Sequence, residues 1–157
     1  DIRQEITEAL PGLFNPGSVI AILITMLLGF LFYALLAGLV GAGISRSEDL
    51  ASAIQPLMMV AMAGFFLSYM SAAFNYDGDG NIIMTLSRYI PISSPFALPG
   101  AIAMGEMSAA ETLISVSFLA LLTGLMVLLV SKVYENIILY SGNPLKLGQI
   151  IKMAREK

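Results

Sequence analysis

The chain has no cysteine and no histidine, and only 12% of its 157 residues are charged. Without cysteine there is neither a disulfide framework nor a thiolate metal site, and without histidine the usual proton shuttle and metal ligand are missing. Metal catalysis is therefore not expected. Charge is absent over long runs: none lies between Glu8 and Arg46, between Asp49 and Asp77, or between Glu111 and Lys132. Eight Lys and Arg against eleven Asp and Glu give a net charge of -3, which offers no footprint for nucleic acid. Five of those eight cations follow residue 131, a small patch suited to anionic lipid heads. No GxxxxGK[ST] phosphate loop occurs, nor any Ser-His, paired-Asp or HExxH constellation, so nucleotide or hydrolytic chemistry in this chain is not expected. The sequence starts at Asp1, with no initiator Met and no signal-peptide pattern, and is expected to be part of something larger.

What is abundant is apolar surface. Hydrophobic residues make up 57% of the chain and the mean hydropathy is +0.84, more than a soluble domain of this length could cover with polar groups. A helix crosses the hydrocarbon core with about 20 apolar residues. The uncharged runs predict spans over 18–44, 50–73 and 109–131, the last continuing as helix to about residue 140. The five residues SRSED at 45–49 join the first two as antiparallel neighbours, with Ser47 or Asp49 placed to cap the second.

Residues 82–107 are apolar but carry Pro91, Pro95 and Pro99 at four-residue spacing. Each proline removes a backbone donor and disfavours helix at its predecessor, and in hydrocarbon the lost bonds cannot go to water. This predicts a proline-broken re-entrant hairpin, two short helices dipping in from one face, rather than a fourth span. A span over 82–104 would also carry Arg88 with no acidic partner at a comparable depth. Ser108 and Glu111 have capping-box spacing for the last span. Arg88, Glu106 and Glu111 are expected to form a polar rim where the hairpin meets it.

Small residues recur at four-residue spacing, as Ala34, Gly38 and Ala42 in the first span and Gly64, Ser68 and Ala72 in the second. In lipid such rows mark where helix backbones approach closely, because the hydrophobic effect does not press helices together. The expected consequence is that the first two spans rock as a packed unit. Methionines 58, 59, 62 and 70 read as adaptable packing. Asp77, Asp79 and Asn81 match the first ligand positions of a calcium loop, but Ile82 stands where glycine is needed and Arg88 where Glu is needed, so an Asp-Gly turn is expected.

At the ends, residues 1–17 predict an external surface helix and linker, and residues 145–157 an amphipathic cytoplasmic helix on an anionic lipid face. Arg46, Lys132, Lys146, Lys152, Arg155 and Lys157 fall on one side of the membrane and Arg3 and Arg88 on the other, which puts the tail in the cytoplasm. With both ends inside, a four-span alternative satisfies the same rule, so charge alone leaves the two open. The fold class expected is an all-α integral membrane domain of three spans plus hairpin.

Three stretches, LLAGLVGAGISRSEDLASAIQPLMM at 35–59, YIPISSPFALPGAIAMGEMSAAE at 89–111 and VYENIILYSGNPLKL at 133–147, together resemble permeases of type-2 ABC exporters, in particular the carboxy-terminal half of NatB-like sodium-export permeases. The resemblance covers nearly the whole chain. It implies the fourth to sixth spans of a permease in the inner (cytoplasmic) membrane, whose partners are the amino-terminal half, a second permease copy and a cytoplasmic ATPase subunit holding ATP and Mg. Some relatives carry an arginine after the proline matching Pro99, where this chain has Gly100 and Ala101. The substrate the resemblance suggests is Na+, with drugs, peptides and lipids equally open. The alternative class, a secondary transporter or channel, ordinarily places a carboxylate at mid-membrane, and the three predicted spans contain none.

Overall fold

The structure is a computed structural model, and it describes residues 2–11, 15–44, 47–73 and 82–139. The Asp77–Asn81 turn, Ser45 and Arg46 of the first loop, and the tail at 145–157 lie outside the described residues.

Every regular element among the described residues is helical. Helix α1 (Ile2–Ala9) leaves Ile2 and Ile6 exposed, as a surface helix with its apolar stripe turned outward would. Helix α2 (Pro16–Ala42) starts where Asn15 Oδ1 accepts the Gly17 N–H at 2.9 Å, with Pro16 at the first helical position, where its missing donor costs nothing. A single 3-10 turn, Ser47–Asp49, leads into α3 (Leu50–Ala73), and the Ser52 hydroxyl donates to the Asp49 carbonyl there. Helices α4 (Ile82–Tyr89) and α5 (Ser94–Ala103) are short, and α6 (Ala109–Leu139) is the longest in the chain. Three of these, α2, α3 and α6, are long and apolar enough to cross a membrane. This is an all-α, multi-pass membrane domain.

The capping box forms as the sequence spacing predicts. Glu111 Oε2 accepts from both the Ser108 N–H and the Ser108 hydroxyl at 2.8 Å, while the Glu111 N–H donates back to Ser108 Oγ at 3.3 Å.

Relative directions follow from two contacts. The amino-terminal parts of α2 and α6 line one cavity of about 390 Å³, between Asn15–Ile24 side chains and Met107–Val116 side chains. Near their other ends, Tyr134 Oη donates to the Gly38 carbonyl at 3.1 Å. Helices α2 and α6 therefore run parallel, with α3 returning between them in sequence. The segment α4–α5 lies between α3 and α6 in the chain. The core is thin, as suits helices whose outer faces meet lipid: Phe32, Leu98, Ala101, Ile102, Leu119 and Val133 are its buried apolar residues.

Candidate functional site

The three prolines do different things. Pro91 stands in the break between α4 and α5, whereas Pro95 and Pro99 are both inside α5. The expectation that each proline interrupts helix is corrected at the last two. Pro95 falls in the first turn, where backbone donors have no intrahelical acceptor anyway. Pro99 removes one bond from a helix of 10 residues, and the turn-by-turn bonds on either side carry α5 through it.

Several polar groups at the turn of residues 90–93 are bonded locally, as backbone among apolar helices requires. The Ile90 carbonyl accepts the N–H groups of Ser93 and Ser94 at 3.1 and 2.7 Å, and the Ser87 carbonyl accepts the Ser93 hydroxyl at 2.8 Å. The Ile92 carbonyl, pointing out of the turn, accepts the Tyr33 hydroxyl of α2 at 2.7 Å. Phe96 then stands between Tyr33 and Phe65, with ring centroids 5.7 and 6.0 Å away.

Two glycines make this seat possible. A Cβ at Gly64 would lie 2.2 Å from the Ile92 carbonyl oxygen, and one at Gly29 would lie 2.5 Å from Pro95 Cβ. Only a hydrogen fits at either place. Gly29 is the fourteenth of the 27 residues of α2, so the start of α5 meets that helix about 20 Å along it, near its middle.

The polar rim assembles in part. Arg88, at the end of α4, makes an ion pair with Glu106, which follows α5. Glu106 is aimed there by the way α5 ends. Gly105 adopts φ +70°, a left-handed conformation that glycine takes without strain, and lets the Glu106 and Gly105 N–H groups bond the Ala101 and Ile102 carbonyls at 3.0 and 3.1 Å. Glu111 lies within electrostatic reach of Arg88, but its hydrogen bonds go to Ser108.

The small-residue rows pack differently from one another. Gly64 and Ser68 are buried, and Gly64 meets the turn of the α4–α5 hairpin rather than a neighbouring span; Ala72 is exposed. In α2, Ala34 is exposed while Gly38 and Ala42 are half-buried, with Gly38 meeting Tyr134 of α6. The two rows thus face two different partners.

Sequence reasoning missed Gly29, Tyr33 and a chain of hydroxyls. Ser87 Oγ donates to Ser71 Oγ at 3.1 Å, and Ser71 Oγ to the Ser68 carbonyl at 2.7 Å, which ties α4 to α3 inside the fold. Thr25 and Thr123 hide their hydroxyls by bonding the carbonyls of Ala21 and Leu119 at 2.8 Å. Ser94 and Ser115 are buried with no hydrogen-bond partner among the described residues, and nothing in the structure accounts for them. No cluster of three or more acidic, Cys or His side chains able to hold a metal occurs among the described residues.

Residues 9–132 match the family described as ABC-2 family transporter protein. The chain belongs to that family. Its three long apolar helices make it a membrane member of that transporter family. The chain is also 26% identical over 146 residues to an uncharacterised Bacillus subtilis (strain 168) protein, YhaP, covering 90% of this chain and 34% of that one. It thus spans about a third of the length of that relative. No solved structure matches.

Proposed function

We propose that this chain is the carboxy-terminal membrane portion of an exporter permease, forming part of the translocation path while a separate ATP-binding subunit supplies ATP, Mg and the hydrolysis. The family match over residues 9–132 carries this reading. The helices α2, α3 and α6 act as the last three spans, and the amino-terminal half and a second permease copy complete the pore. The α4–α5 segment is a re-entrant hairpin that opens to the outside, with the carboxy terminus in the cytoplasm of an inner-membrane protein. The parallel run of α2 and α6 supports it, since an odd number of further crossings between α3 and α6 would set those two helices antiparallel.

Na+ is the first substrate to test, on the likeness to NatB-like permeases, beside amphipathic drugs, peptides and lipids. The test is ATP-dependent efflux from vesicles holding the full-length protein and the ATP-binding subunit encoded beside it. Efflux of Na+ supports the narrower reading and efflux of amphipathic compounds the broader one; efflux indifferent to ATP overturns both. Topology is tested separately in this cysteine-free chain. Asn81→Cys and Ser108→Cys should react with an impermeant thiol reagent from the same side, and reaction from opposite sides would mean a fourth span.

A further inference from the structure

Between α3 and the α4–α5 segment lies a cavity of about 170 Å³. Ser68, Ser71, Arg88 and Glu106 line it together with the small residues Ala97 and Gly100 and the apolar side chains of Phe96 and Met104. A Cβ built on Gly100 would touch nothing within 4 Å, so the space beside it is open. A void of this size has room for several waters, and hydroxyls with an ion pair supply the polar partners that water needs.

The ion pair closes the open side of the hairpin. Arg88 comes just before the turn at residues 90–93 and Glu106 just after α5, so a bond between them ties the way in to the way out. Their side chains are 13% and 30% exposed. That intermediate exposure matters: a deeply buried pair would be locked by the desolvation of its ions, while a pair partly wetted is weak enough to part and re-form. Each partner is also held from behind. Arg88 sits at the negative end of α4, and Glu106 is set by the left-handed turn at Gly105.

We propose that the cavity is an aqueous vestibule for small hydrophilic solutes, reached from the side on which α2 and α6 begin, and that the Arg88–Glu106 pair is its gate. Closed, the pair caps a pocket lined by Ser68 and Ser71; open, it admits solute toward the middle of the membrane. The proposal rests on the hairpin returning to its own side, which the Asn81→Cys and Ser108→Cys labelling tests alone.

The test uses the full-length protein in sealed vesicles with Ala97→Cys as the reporter and a small cationic methanethiosulfonate reagent as the probe. With the pair intact, Ala97→Cys should label slowly. Adding Glu106→Gln, which keeps the shape and removes the charge, should speed labelling about fivefold, the factor by which a partly exposed ion pair biases an open–closed equilibrium. The double variant R88E/E106R should restore slow labelling, which a variant that had merely unfolded could not do. Labelling that ignores Glu106→Gln overturns the gate, and no labelling in either background overturns the vestibule. If Asn81→Cys and Ser108→Cys label from one side while Ala97→Cys stays indifferent, the hairpin stands and only this inference falls.

Discussion

At the hairpin turn, a methyl group built on Gly64 or Gly29 would lie 2.2 or 2.5 Å from atoms of Ile92 or Pro95; on the α2–α6 seam, one on Gly38 would lie 3.8 Å from the Tyr134 hydroxyl. The first distances are impossible for real atoms and the last is ordinary contact. In the sequence, Gly38 and Gly64 look alike, each in a row of small residues at four-residue spacing. What separates them is the partner. Gly64 faces the backbone of a turn, which has no rotamer with which to give way, whereas Gly38 faces the tip of a long side chain that can swing aside. A small-residue row thus marks where close approach is allowed, and the rigidity of what approaches decides whether it is required.

The contrast can be broken most directly at Gly64→Ala. Its methyl group meets a carbonyl oxygen, so helix and turn must separate, and we expect a loss of about 3 kcal/mol, the upper part of the usual range for overpacking. The check is the unfolding midpoint of the full-length protein in detergent titrated with SDS; an unchanged midpoint would mean the turn is not seated on α3. Next comes Gly29→Ala, at about 1–2 kcal/mol, because its 2.5 Å approach to Pro95 Cβ is less severe than the 2.2 Å approach to a carbonyl oxygen. Combining it with Pro95→Ala should recover little of that loss, since alanine keeps the Cβ that makes the closest contact and removes only the ring carbon at 3.0 Å.

Tyr33→Phe is smaller again. It keeps the ring against Phe96 and removes the bond to the Ile92 carbonyl, for an expected loss of about 1 kcal/mol or less. The smallest effect is expected at Gly38→Ala, within about 0.5 kcal/mol of the parent, by the same measurement. If Gly38→Ala cost as much as Gly64→Ala, the distinction between a rigid and a yielding partner would collapse.

The three spans, the tight 47–49 turn and the Ser108–Glu111 capping box were legible in the sequence, because each depends on residues near one another in the chain. The helix–turn–helix form of residues 82–103 was legible too, from its prolines, but not which proline stands in the turn. Proline chemistry says what is lost at a position; whether a helix bears the loss depends on its other bonds and packing, as α5 does at Pro99. The pairing of Arg88 with Glu106 rather than with Glu111 was likewise out of reach. It follows from Gly105 turning the chain back toward α4 while Ser108 occupies Glu111.

By itself, then, the sequence determined that this chain lives in a membrane, how many long helices it offers and where they begin, since these follow from apolar length and from caps that act within a few residues. Only the tertiary structure decided that α2 and α6 run parallel, that Ile92 and Pro95 pack against Gly64 and Gly29, and that a charged pair lines a small cavity with Ser68 and Ser71. Those facts join residues 18 to 96 positions apart, and between such positions sequence spacing carries no geometry until the helices are packed.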